Sequence, residues 1–276
     1  MASSSAMNSG FPLRRLGAAC AALLLVIGAC GSDDDTAADD ADTTTTAAPD
    51  ESPETTATDE TSTTTEPEAT DAIDRSTALF MAPPEAGAEL TIAESGITSA
   101  TTTVSVLSAD ESADGIAVST SEVVAGEAGS VTVERSYTTG ADGSLSISAA
   151  GFFASGTGFE VTATGDDIRI PSITELASGE ASTGNTFVEL NASGIDARND
   201  VAYTIVGGGT ESVSTPLGTF DAQIVDIELS IDSSIGGAQT GTVRYAFLPG
   251  FGVLTTDVAI AGFAINSTVT SSTVTP

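Results

Sequence analysis

The stretch Thr219-Phe220-Asp221-Ala222-Gln223-Ile224-Val225-Asp226-Ile227-Glu228-Leu229-Ser230-Ile231 is the longest strand-like run in the chain. Val225, Ile227, Leu229 and Ile231 recur at every second residue, with Asp226, Glu228 and Ser230 between them. Period two marks a strand with one face buried and the other in water. Just upstream the phase slips, because Phe220, Ala222 and Ile224 fall on the opposite side. A β-bulge near Ile224 is expected, since one extra residue returns both sets to a single face.

The same short alternating runs lie on both sides of this stretch. Before it come Ala88–Glu94, Ile97–Leu107, Gly115–Val124, Ser130–Thr138, Ser144–Ala149, Phe159–Thr164 and Asp167–Ile170. Between them and it come Asn185–Asn191, Val201–Val206 and Glu211–Ser214; after it come Thr242–Phe247, Gly252–Ile260 and Phe263–Val269. Turn residues separate them, notably Asp114-Gly115 and Ala141-Asp142-Gly143, which suit positions of positive φ. Only the neighbourhood of Ile173–Ala181, after Pro171, hints at a helical period. The expected fold is all-β, an antiparallel meander of about a dozen strands. A twisted sheet of that size curls or splits into two layers. A curled half-barrel is the leading expectation, with a β-sandwich or a closed barrel as alternatives. Ser76–Met81 reads as a lead-in stopped by Pro83-Pro84.

What precedes the domain explains where it resides. Arg14-Arg15, the apolar run Leu16–Ile27 and the small residues Gly28-Ala29 before Cys30 have the layout of an export signal. The run is too short for the roughly 20 residues that span a bilayer. Ile27-Gly28-Ala29-Cys30 resembles the lipobox of bacterial lipoproteins, which implies cleavage before Cys30 and lipidation of its sulfur. Residues 1–29 are then a signal peptide, and 30–74 a lipidated cysteine with an acidic Thr/Ala-rich tether. That segment has almost no large apolar residue and is expected to be disordered. Residues 75–276 form the β domain. The expected location is the extracytoplasmic face of the cell membrane, with the membrane as partner through Cys30.

Composition closes several functional classes. The 276 residues include 39 acids, seven arginines, two cysteines and no His, Trp or Lys. After the signal the charge is about −34, which rules out nucleic acid, because that binding rests on Lys and Arg neutralising phosphate. With Cys20 removed in the signal and Cys30 lipidated, no thiol remains for a disulfide, a nucleophile or a metal. Absence of His removes Ser-His-Asp chemistry and His-ligated zinc. No catalytic residue, cofactor or metal site is assigned. Asp166-Asp167 and the Asp196–Asp200 segment offer oxygen ligands of the kind calcium takes, but they match ordinary Asx turns and fit no EF-hand loop. Each of the domain's five arginines is expected to pair with a carboxylate, Arg135 on the face of Val133 and Tyr137.

Two Pro/Gly turns carry a second resemblance. Thr215-Pro216-Leu217-Gly218-Thr219-Phe220-Asp221-Ala222 is followed by Tyr245-Ala246-Phe247-Leu248-Pro249-Gly250-Phe251-Gly252-Val253. Pro216, Gly218, Phe220, Pro249, Gly250 and Gly252 are the motif positions. The pair resembles a motif set of bacterial envelope lipoproteins, similar to the curved β half-barrels of lipoprotein carriers. That resemblance, over about 185–260, implies a concave face that takes acyl chains. The chain departs from it at Phe187, where Trp is common, and at Leu254, where a basic residue is common. The expected function is non-catalytic binding of a lipid or other apolar ligand. A structural or adhesive envelope module with a cell-wall or protein partner is the alternative, and a carboxylate-dependent hydrolase ranks last. Phe152, Phe153 and Phe159, in a Gly/Ala/Ser-rich segment, are the candidate ligand or loop contacts. The competing reading makes them a plug on the core.

Overall fold

A computed structural model describes residues 73–96, 99–126, 129–149, 152, 166–192, 195–234 and 236–276. Cys30 and the tether, Phe153, Phe159 and the expected strand Phe159–Thr164 lie outside these residues.

Twelve strands follow one another: β1 (Glu89–Gly96), β2 (Ala100–Ser112), β3 (Gly115–Gly126), β4 (Gly129–Gly140), β5 (Leu145–Ile147) and β6 (Ile168–Ile170). Then come β7 (Ser182–Ala192), β8 (Ile195–Thr215), β9 (Gly218–Ser233), β10 (Gly237–Leu248), β11 (Gly252–Ile260) and β12 (Phe263–Ser272). Their spatial order is β6-β5-β4-β3-β2-β1-β12-β11-β10-β9-β8-β7, with every pair antiparallel. Two six-strand meanders thus join where β12 returns to β1, with Ile92 opposite Val269. The sheet curls into a nearly closed barrel with one unsealed seam, between β6 and β7. Across it the Thr186 hydroxyl donates to the Asp166 carbonyl at 2.8 Å. Helix α1 (Ile173–Ala177) connects the two edges in sequence. Its N-terminus carries a capping box: the Ser172 hydroxyl accepts from the Glu175 amide and the Glu175 carboxylate from the Ser172 amide.

The inner face is read from register and burial together. On β4 the residues Val131, Val133, Arg135, Tyr137 and Thr139 are the less exposed set, with Thr132, Glu134, Ser136 and Thr138 outside. On β9, Val225, Ile227, Leu229 and Ile231 are buried as the alternation predicts. The expected bulge is on a different strand. β9 keeps unbroken register with β10, and the extra residue is Gly208 of β8, between Gly207↔Val225 and Gly209↔Ile224. Ala222 and Ile224 are buried as well, so this part of β9 has both faces covered. That covering, rather than a slip in β9 itself, explains its mixed phase. Register also shifts at Leu107, Leu254 and Thr270. Bulges bend and twist a strand locally, which a sheet needs in order to close.

The lead-in is part of the core. After a 3-10 turn at Arg75–Thr77 the chain runs extended, and Ala78, Leu79 and Phe80 are wholly buried, with Ala82 2% exposed. It spans one end of the barrel. On one side the Leu79 amide donates to the Gly143 carbonyl, and the Thr139 hydroxyl to the Leu79 carbonyl. On the other the Gly250 amide donates to the Ala78 carbonyl at 3.0 Å. This plug meets Gly250 and Gly252, both at positive φ. A Cβ at Gly252 would sit 3.1 Å from the Ala82 Cα, and one at Gly250 would sit 2.8 Å from the Arg75 carbonyl oxygen. The Pro249–Gly252 turn is therefore a seat for the plug as well as a hairpin.

Candidate functional site

Inside the barrel, beyond the plug, apolar and polar side chains share the inner face. Ile92, Val131, Val133 and Val258 face inward and are only partly buried, Ile92 and Val258 packed against the core. Their register partners include Val124 opposite Val131, Glu122 opposite Val133, and Val243 opposite Val258. Val124 and Val243 are buried, so the partly buried valines opposite them lie on the same face of the sheet.

The polar members sit at defined places on that face. Arg135 Nε donates to Glu122 Oε2 at 2.8 Å, with both side chains about one-fifth exposed. Arg135 thus lies on the inner face, as its phase with Val133 and Tyr137 predicted. Its charge also reaches Tyr245 of β10. Burial pushes the Tyr245 phenol up to about 12, and the guanidinium partly opposes that rise. Tyr245 packs on Phe247 with ring centroids 5.4 Å apart. Thr102 Oγ1 donates to Glu94 Oε1 at 2.8 Å, and both residues are buried. Glu94 was not singled out from the sequence, although it falls in phase with Leu90 and Ile92 on the apolar face of β1. A carboxylate in phase with apolar positions is the signal that finds it.

The expected ion pairs form. Arg75 pairs with Glu111, Arg169 with Asp142 and Glu175, Arg198 with Glu189 and Asp200, and Arg244 with Glu211 and Asp226. Arg198 also stacks on the Phe187 ring at 4.4 Å. Phe187, at the position where the resemblance has Trp, thus meets a cation on the outer face. Asp166 and Asp200 line one small outer furrow beside the seam. Among the described residues no three potential metal ligands converge closely enough to hold an ion. A larger furrow of about 720 Å³ crosses β7 to β12, between outward-facing rows that include Thr183, Thr204, Ser230 and Thr242. Phe152 is half-buried and packs against the core. Pro216 forms the β8–β9 turn, with Gly218 opposite Thr215, and Phe220 is half-buried against the core.

Two solved structures share this fold. One is a candidate lipoprotein from Parabacteroides distasonis, 16% identical, covering 71% of this chain and 99% of its own, with a TM-score of 0.56. The other is a candidate exported protein with a YmcC-like fold from Bacteroides fragilis, 19% identical, covering 71% of this chain and all of its own, also with a TM-score of 0.56. No curated protein sequence matches the chain. The family model described as DUF3108-like matches residues 89–255, from the first barrel strand into β11. The chain belongs to the DUF3108-like family.

Proposed function

We propose that this protein is an extracytoplasmic lipoprotein, anchored through Cys30, whose barrel interior holds an apolar ligand without catalysing a reaction. The observation that carries the ligand reading is that the inward-facing Ile92, Val131, Val133 and Val258 are only partly buried. Apolar area left in water forfeits about 25 cal/mol per Å², and an apolar guest on that surface recovers it. The lipobox-like Ile27–Cys30 supports the anchor, and the lipoprotein and exported-protein descriptions of the two structural neighbours agree with it.

Organic extraction of the purified full chain tests the ligand, because it removes non-covalent lipid and leaves any acyl group on Cys30 in place. About one lipid per chain supports the reading, and a lipid-free extract overturns it. Incorporation of labelled fatty acid that is lost in Cys30→Ala checks the anchor. A second reading, a structural or adhesive envelope module, draws on the plug, which fills one end of the interior with the chain's own Ala78–Ala82. A lipid-free extract would put that reading first.

A further inference from the structure

Among the described residues the Glu94 carboxylate is only half satisfied. Its Oε1 accepts from Thr102, but Oε2 is buried and has no partner there. The residue is 9% exposed. Its strand neighbours on the same face are Ala100 of β2 and Ser267 of β12. Arg135, the one inward-facing arginine among the described residues, has its Nε on Glu122. A buried acceptor left without a donor is costly, and more so when it is charged. Such a group calls for a donor from outside the chain. One inward position earlier on β1 is Ile92, a partly buried apolar residue of the same face.

We propose that Glu94 is the polar anchor of the interior site, and that the ligand is an aliphatic chain headed by a hydrogen-bond donor, a hydroxyl or an ammonium group. This deepens the apolar-ligand reading and rests on it. Oε2 accepts from the head group while the chain lies along Ile92 and the inward valines. A carboxylate or phosphate head is disfavoured, because it places like charge against Glu94 and enters a domain carrying about −19.

Calorimetric titration of the full chain, held in a fluorinated surfactant that does not compete for hydrocarbon sites, tests this with three ligands of equal tail: decanol, decylamine and decanoate. Wild type is expected to bind decanol and decylamine at least about tenfold tighter than decanoate. In Glu94→Gln, decylamine should weaken about tenfold and decanoate should tighten to within about threefold of decanol, which itself changes little. Glu94→Gln should also melt no lower than wild type, because a neutral amide is cheaper to bury than an unpaired charge. Equal binding of all three by wild type, or an unchanged order in Glu94→Gln, overturns the anchor and leaves the apolar-ligand reading standing. No binding of any of the three overturns both.

Discussion

Two inward tyrosines do different work, and a methyl-sized edit separates them. The Tyr137 hydroxyl donates to the Ala82 carbonyl at 2.7 Å and accepts from the Ala82 amide at 3.0 Å. It satisfies both backbone groups of a buried plug residue. Tyr137→Phe strands both, so it should lower stability by about 2–3 kcal/mol, read as a lower urea midpoint at unchanged m-value. A change under about 0.5 kcal/mol would mean that the plug does not depend on this pair. The Tyr245 hydroxyl makes no such bond to the plug, so Tyr245→Phe should leave stability near pH 7 almost unchanged. It should differ in alkali. Burial raises the Tyr245 phenol to about 12 from an ordinary 10.0, so the folded state holds that proton more tightly than the unfolded chain does. The resulting stability is complete below about pH 10 and is lost as pH climbs toward 12. Urea melts at pH 7 and pH 11.5 should therefore show a smaller alkaline loss in Tyr245→Phe than in wild type. Equal losses would show that Tyr245 does not titrate late. At this scale the sequence disclosed which face Arg135 occupies but not its partner Glu122. Phase is a property of one strand, whereas pairing depends on the register between two.

At the scale of elements, the plug is the part that alternation could not reveal. Strands announce themselves because one face is wet, so their apolar residues skip every second position. Ala78-Leu79-Phe80-Met81-Ala82-Pro83-Pro84 has no such skip, and it reads from sequence as a lead-in. An unbroken apolar run between a polar tether and the first strand is what a segment buried on all sides looks like. Phe80 has no exposed surface. Phe80→Ala should cost about 3–5 kcal/mol, as large-to-small changes in a packed core do. Denaturant melts read the cost, and a loss below about 1 kcal/mol would show that the plug is only draped over the barrel end. Gly252→Val should destabilise from the other side of the same contact. Its positive φ strains a branched side chain, and the added Cβ meets the plug at Ala82. The Pro-Gly turn was legible as a turn; that Gly250 and Gly252 also give way to a crossing chain was not. The phase slip in β9 was likewise legible, and its remedy was misplaced, because a bulge on β8 changes the register opposite Ile224 without any mark in β9's own spacing.

For the molecule as a whole, charge and closure pull in opposite directions. From residue 75 onward there are five arginines and 24 acids. Among the described residues, eight acids pair with the arginines, most of them at exposed sites. Exposed pairs contribute roughly 0–1 kcal/mol each, so screening them removes little. The remaining carboxylates repel one another on a closed surface, and unfolding relieves that repulsion by letting them separate. Raising ionic strength from about 0.01 M to 1 M shortens the screening length from about 30 Å to about 3 Å, shorter than most spacings on such a barrel. Loss of repulsion should then outweigh loss of pairing. The full chain is expected to melt several degrees higher in molar sodium chloride than in dilute buffer. Chloride suffices if the cause is screening, so calcium at matched ionic strength should add nothing further through a bound ion. A melting point flat across that range would show that the 24 acids are spaced widely enough not to interact. A rise specific to calcium would instead point to a bound ion.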